Sequence, residues 1–183
     1  MKTTTMICAV ILIIGIFAGP AIAKDLKDNL GIGFSSQFSP KDTDSLSAKY
    51  WINNELAVQG LLGFNYSDAY DETDIGGKVY FKINDEENLH VDVFAGLGLS
   101  RVDPDQGSTE TGKWISIGMG LEYFFSGLPN LGFSTEVGLT MTDYDDDTSF
   151  GTMADSFVGA GIHYYFDFLS PSVKKPAESG ATE

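Results

Sequence analysis

Apolar and polar residues alternate along most of this sequence, and this alternation constrains the fold more than any other feature. Between Leu89 and Leu99, every odd-numbered position is apolar. A period of two is the side-chain period of a β-strand, because successive side chains point to opposite faces. The pattern recurs almost throughout the chain after residue 23 and predicts an all-β fold.

Eight stretches carry this pattern, and each is close to the length of about 9–11 residues with which a tilted strand crosses a bilayer. They are residues 29–39, 44–52, 56–66, 74–83, 89–101, 114–125, 131–142 and 156–168. The connections between them alternate between short ones and longer, strongly polar ones. Membrane barrels have short periplasmic turns and longer outer loops, so we expect both termini to be periplasmic.

The two faces of these strands differ in chemistry, and either face could in principle be the outer one. A soluble sheet also alternates, with its polar face in water, and a soluble barrel such as a lipocalin has its apolar face inside. The number, length and regularity of the apolar faces favour lipid outside and polar groups inside. The sequence therefore predicts an all-β fold, an eight-stranded antiparallel up-and-down transmembrane β-barrel.

The first residues have the composition of a cleavable export signal. Its parts are Lys2, the apolar run from Met6 to Phe17, and the cleavage-site residues Ala21, Ala23 and Lys24. An uncleaved N-terminal anchor is the alternative, but the run is shorter than the about 20 residues of a membrane helix. We expect residues 1–23 to be a signal peptide, 24–169 the barrel, and 170–183 a disordered periplasmic tail.

Composition excludes several classes of partner and cofactor. The formal net charge of −15 leaves few clustered cations for phosphate contacts, so nucleic acid is not an expected partner. Cys8 is the one cysteine of the sequence, and it lies within the predicted signal peptide. Asp143, Asp145 and Asp147 resemble the start of a calcium loop, but Thr148 stands where glycine is needed. We therefore predict no cofactor and no metal site.

Three segments of the predicted barrel wall are specific enough to suggest a family. They are Ser47-Ala-Lys-Tyr-Trp51, Gly118-Met-Gly-Leu-Glu-Tyr-Phe-Phe125 followed by Gly-Leu-Pro-Asn130, and Gly159-Ala-Gly-Ile-His-Tyr-Tyr-Phe166. They resemble the small outer-membrane β-barrels of the outer-membrane protein A and X type. The resemblance implies an eight-stranded barrel in the outer membrane of a Gram-negative bacterium. It also implies contact with outer-membrane lipid and lipopolysaccharide, and with the barrel-assembly machinery during biogenesis. Such proteins often end on an aromatic residue, whereas this chain continues beyond Phe168.

The polar face of the strands predicts a charged lumen. Its candidate network is Lys49, Lys78, Lys82, His90, Asp92, Glu122, Glu136, His163 and Asp167. Burying an unpaired ion costs several kcal/mol, so we expect ion pairs that close the lumen to ions. We expect Asp92 to lie diagonally from Lys82 on the neighbouring strand. A wet lumen with water-screened charges is the alternative.

Aromatic residues collect near the predicted periplasmic ends of the strands. They are Tyr50, Tyr123, Phe125, Phe133, Phe166 and Phe168. This placement is typical of the interfacial girdle of a membrane barrel. The alternative is that they are ordinary strand residues, since aromatics favour strands.

The sequence leaves three classes of function open. A structural or surface-interaction barrel with a plugged lumen is the first, and its acidic outer loops could bind a surface ligand or bridge divalent cations to lipopolysaccharide. Solvated, self-repelling loops are the simpler interpretation. A narrow passive channel is the second class, and a lipid-modifying enzyme is the third. We predict no enzyme, because Tyr165 stands near His163 where a barrel of the lipid A-hydrolysing type has serine, and the alternation points His163 inward.

Overall fold

The computed structural model describes residues 25–36, 44–144, 147–152 and 159–168, which form nine antiparallel strands. The strands are β1 (Asn29–Ser35), β2 (Ser45–Trp51), β3 (Leu56–Tyr66), β4 (Tyr70–Glu86), β5 (Leu89–Pro104), β6 (Glu110–Phe125), β7 (Leu128–Tyr144), β8 (Asp147–Thr152) and β9 (Gly159–Asp167). No helix in the described ranges is long and apolar enough to cross a membrane.

The strands close into one barrel. Each strand from β1 to β7 pairs with the next, and β9 pairs with both β1 and β7. β8 pairs with the C-terminal half of β7, and β9 pairs with its N-terminal half, so β8 and β9 together occupy the eighth wall position. The predicted eight-stranded antiparallel up-and-down barrel is confirmed.

The predicted alternation of faces is confirmed by burial. Polar residues such as Lys78 and Glu122 are buried in the lumen, while apolar ones such as Leu97 and Ile117 are 66% and 62% exposed on the outer wall. Side chains on opposite faces of a strand meet different surroundings, so both patterns follow from one register.

Several strands are longer than the sequence predicts, because hydrophobic alternation detects only the apolar band of a strand. β4 to β7 continue into the polar connections, where backbone hydrogen bonding does not require apolar side chains. β8 was predicted to be part of an outer loop, and that prediction was wrong. β1 ends at Ser35, earlier than predicted, and the predicted start of the last strand at residue 156 lies outside the described residues.

The two ends of the barrel differ. One end of the barrel carries the tight turns at residues 52–55, 87–88 and 126–127, and we call it the turn end. The start of β1 and the end of β9 lie there. The opposite end carries the connections at residues 67–69 and 105–109, which we call the loop end. The register shifts once between Lys82 and Asn84 and once between Phe124 and Phe125, both near the turn end.

A buried charged lumen as the candidate functional site

An ion pair crosses the middle of the lumen between β4 and β7. Lys78 Nζ lies 2.6 Å from Glu136 Oε2, and both side chains are nearly fully buried. Tyr80 donates a second hydrogen bond to Glu136 Oε1 at 2.6 Å. Both oxygens of this carboxylate are thus engaged, which a buried charge requires if its desolvation is to be offset.

A second ion pair lies beside the first. Lys49 Nζ donates to Glu122 Oε2 at 3.0 Å and is 3.9 Å from Asp92 Oδ2. Tyr165 donates to the other oxygen of Glu122 at 2.7 Å. Lys49 Nζ also lies 4.1 Å from the ring centroid of Tyr80, a cation–π distance. The lysine is therefore held by two carboxylates and an aromatic face.

A chain of neutral groups joins these charges to the β9 wall. Ser47 Oγ lies 2.7 Å from His163 Nε2, and Gln59 Nε2 donates to Ser47 Oγ at 2.6 Å. Gln59 Oε1 lies within hydrogen-bond distance of the Tyr80 hydroxyl, so it shares with Glu136 the single proton of that group. One connected network therefore runs from His163 to Glu136, and groups in such a network polarise one another.

A third group of charges lies nearer the turn end. Asp85 accepts a hydrogen bond from Lys82 Nζ at 2.7 Å and lies 2.7 Å from His90 Nδ1. The imidazole packs edge-on against Phe124, with ring centroids 5.4 Å apart. Lys82 also lies 5.5 Å from the ring of Trp51. This cluster differs from the central pairs because Asp85 is partly exposed.

The structure corrects two details of the predicted network. Asp167 was expected in the lumen, but its side chain is exposed at the last residue of β9, near the end of the barrel. Lys82 was expected diagonal to Asp92. The register places them directly opposite, and Lys82 reaches back to Asp85 while Asp92 faces Lys49. The register shift after Lys82 explains the difference.

The other predicted lumen residues are all buried: Lys49, Lys78, Lys82, His90, Asp92, Glu122, Glu136 and His163. Five further side chains complete the network and were not among its predicted members: Ser47, Gln59, Tyr80, Asp85 and Tyr165. Their positions on the inward face of the strands were a usable signal for all of them except Asp85. The register shift between Lys82 and Asn84 precedes Asp85 and changes the face expected for it. Glu72 and Asp74 are also buried toward the loop end, although Glu72 falls in a predicted connection and Asp74 is the first residue of the predicted strand 74–83.

Glycines on the inner face make room for the large lumen side chains. A Cβ on Gly31 would lie 2.6 Å from Tyr165 Cε1, and one on Gly132 would lie 2.7 Å from Glu122 Oε1. Real Cβ atoms do not approach other heavy atoms so closely. The high glycine content therefore serves the packing of bulky polar and aromatic groups around a narrow axis.

The predicted aromatic girdle residues lie on the outer wall, and several contact one another. Tyr50 packs against Phe168, with centroids 6.4 Å apart, and Phe125 packs against Tyr123 at 5.0 Å and Phe133 at 5.4 Å. Their assignment to a membrane interface stays a prediction. The cleavage-site residues Ala21, Ala23 and Lys24 lie outside the described residues.

Charged residues also face outward near the loop end. Arg101 Nε donates to Asp103 Oδ2 at 2.9 Å, and Thr109 donates to the other oxygen of Asp103. The hydrogen bonds from Thr109 and then Arg101 lower the pKa of Asp103 below its ordinary value. Within the described residues, no group of three or more histidine, cysteine, aspartate or glutamate side chains is arranged to hold a metal ion.

Comparison with known proteins identifies solved structures with a similar fold. No protein-family model matches the sequence, and no curated protein does. The N-terminal β-barrel domain of Pseudomonas aeruginosa OprF superposes with a TM-score of 0.57 at 16% identity, covering 78% of this chain and 100% of that domain. Neisserial surface protein A matches with a TM-score of 0.45 at 19% identity, over 75% of this chain and 94% of that one. Ail of Yersinia pestis matches with a TM-score of 0.42 at 16% identity, over 79% of this chain and 100% of that one.

At these identities the OprF match establishes the fold alone, and the two lower scores add nothing to it. The closed eight-position wall agrees with that match. The fold of this chain is that of the small eight-stranded outer-membrane β-barrels.

Proposed function

We propose that this protein is a non-catalytic outer-membrane barrel whose lumen is closed by paired charges and whose role is structural or a matter of surface interaction. The carrying observation is the ion pair between Lys78 and Glu136, which spans the lumen between strands that are not neighbours in the wall. The pair and the Tyr80 hydroxyl bonded to it occupy the lumen at this level, which supports a lumen closed to ions. Moving one partner alone is costly, because an uncompensated charge stays behind.

The apolar outer wall supports a membrane location. Large apolar side chains are exposed on every strand from β1 to β9, for example Ile32, Leu62 and Met119. An aqueous protein rarely exposes such a continuous apolar surface, whereas lipid matches it. The predicted signal peptide fits the same location, with both termini periplasmic and outer-membrane lipid and lipopolysaccharide around the wall.

A surface-interaction role is supported by the charge of the loop end. Asp68, Asp71 and Asp105 are exposed there, and the predicted outer loops are acidic throughout. A concentration of one charge sign steers oppositely charged groups toward a surface. A cationic surface ligand is thus the partner class that these loops favour, and the barrel-assembly machinery is the partner expected during biogenesis.

One contact in the lumen resembles part of a catalytic site. Ser47 and His163 form a serine–histidine pair at 2.7 Å, the geometry with which a base activates a hydroxyl nucleophile. Both side chains are almost fully buried, and His163 Nδ1 has no hydrogen-bond partner in the described part of the chain. A nucleophile that no substrate reaches, beside a base that no third group orients, supports a packing role.

Conductance of the refolded full chain in a planar bilayer tests the closed lumen. We expect a baseline current in the wild type, measured beside a trimeric porin as positive control under the same salt and voltage. A stable ohmic pore in the wild type would overturn the closed lumen and favour the passive channel. Sensitivity of a deletion strain to detergents, restored by the wild-type gene, would support a structural role in the envelope.

A further inference from the structure

The segment that precedes β1 folds across the turn end of the barrel. Asp28 has a backbone φ of 62°, a left-handed conformation that turns the chain sharply before the first strand. Its backbone N–H donates to Trp51 O at 2.9 Å, and its carbonyl accepts from the Phe168 N–H at 3.2 Å. Tyr50 OH donates to Asp28 Oδ1 at 3.4 Å. These contacts attach the turn to the ends of both β2 and β9.

One side chain of this segment enters the lumen. Leu26 is 0% exposed, although Asp25 and Lys27 on either side of it are exposed. It belongs to a buried cluster with Trp51, Ala57, Tyr80, Phe94, Phe124 and Tyr165. The Lys27 N–H donates to Asn54 Oδ1 at 3.2 Å, which ties the segment to the turn between β2 and β3.

We propose that Leu26 is an apolar stopper that closes the turn end of the lumen, as a second barrier in series with the central ion pairs. The inference rests on the closed lumen proposed above and assigns it a separate part. The ion pairs oppose ion passage through charge, whereas the stopper excludes water by packing one aliphatic side chain into a buried cluster rich in aromatic rings. A hydrophobic constriction blocks ions because it dewets.

The segment that carries Leu26 is attached to the barrel by fewer hydrogen bonds than the strands of the wall. The barrel strands are held by continuous ladders, but residues 25–28 are held by a few hydrogen bonds to turns and strand ends. Segments with few backbone bonds open locally at a lower free energy than the ladders they cover. Opening of this segment would admit water to the aromatic cluster without breaking either central ion pair.

Cysteine accessibility tests the proposal in the full-length protein, in a background in which Cys8 is replaced by serine. Ala57→Cys reports on the cluster behind Leu26. Ser116→Cys reports on the lumen at the level of Lys78, because Gly96 pairs with Lys78 on one side and with Ser116 on the other. Each is labelled with a small cationic methanethiosulfonate reagent, with Leu26 intact or replaced by glycine. Heat-dependent migration in gel electrophoresis confirms that each variant is folded.

We expect Ala57→Cys to react slowly when Leu26 is intact and at least tenfold faster with Leu26→Gly. Leu26→Met, which conserves volume, should restore slow labelling. Lys27→Ala, a change of the exposed neighbour, should leave it slow. Ser116→Cys should stay slow in every background, because the ion pairs remain.

Equal labelling of Ala57→Cys with and without Leu26, whether fast or slow, would overturn the stopper. Rapid labelling of Ser116→Cys with Leu26 intact would instead overturn the closed lumen. The two failures are therefore distinguishable.

Discussion

Lys78 on β4 and Glu136 on β7 meet at 2.6 Å across the lumen, although 58 residues separate them along the chain. β5 and β6 separate these two strands in the wall, so this contact bridges the lumen between strands that are not neighbours. A closed ladder fixes neighbouring strands only, and a barrel of eight strands is narrow enough for side chains to fill it. The pair therefore depends on the closed wall, which positions both strands, and it also fills part of the lumen.

Removing one partner of this pair should destabilise the barrel strongly. Glu136→Leu leaves Lys78 buried and without its carboxylate partner, and breaking a buried pair in this way costs about 3–5 kcal/mol. We expect a corresponding fall in the free energy of unfolding, measured by urea titration in lipid vesicles. The double variant Lys78→Met/Glu136→Leu should recover most of the loss, since it leaves no uncompensated charge. A single variant as stable as the wild type would show that water already screens the pair.

The inner-face glycines should be intolerant of even one methyl group. A Cβ on Gly33 would collide with the backbone oxygen of Ile162, which cannot move without disturbing the β1–β9 ladder. Gly33→Ala should therefore lower the free energy of unfolding by about 1–3 kcal/mol, as overpacking does. Gly60→Ala is the matched control, because nothing lies within 4 Å of its added Cβ. Equal effects of the two changes would contradict the close approach of the β1 and β9 backbones at Gly33.

A charge placed on the outer wall should cost free energy according to its depth. Ile117 is 62% exposed midway along β6, whereas Thr111 lies beside Arg101 near the loop end of the same strand. Ile117→Lys should cost about 2–4 kcal/mol and Thr111→Lys about 0–1 kcal/mol in a bilayer. The comparison uses unfolding titrations in the same vesicles. Loss of the difference would mean that the apolar wall does not face hydrocarbon.

The Asp103 carboxylate offers a pH test outside the membrane band. Thr109 and Arg101 lower its pKa, so the folded state favours the charged form. Stability from these bonds is present above the unfolded-state pKa and is lost as pH falls through the lower folded-state value. Thr109→Val should move the Asp103 pKa up toward its ordinary value, as followed by NMR titration of the carboxyl carbon. An unchanged titration would show that the hydroxyl bond does not form in solution.

The wall of the barrel could be predicted from the sequence because one physical rule governs it. Every odd-numbered position from Leu89 to Leu99 is apolar, and the structure places these positions outside and His90 and Asp92 inside. The rule fails where lipid no longer selects apolar residues. β8 was missed for this reason, since its pairing with β7 depends on backbone groups that leave no hydrophobic signature.

The lumen network could be predicted in part. Parity placed Lys49 and Glu122 inside, but parity carries no information about which inward groups meet across a lumen. Partner choice depends on strand register and on shifts such as the one after Lys82. Leu26 had no signal at all, because it precedes the first strand and the alternation does not reveal the left-handed turn at Asp28 that follows it.

Tryptophan fluorescence tests the central claim most directly, that the apolar face meets lipid while the polar face surrounds a sealed interior. Trp51 and Trp114, the two tryptophans of the sequence, are 0% and 3% exposed within the lumen. In vesicles, we expect their emission to resist aqueous iodide and to be quenched by brominated lipid far less than the added emission of an Ile117→Trp variant. Efficient quenching of the native tryptophans by iodide would contradict the sealed lumen, and efficient quenching by brominated lipid would contradict the assignment of the two faces.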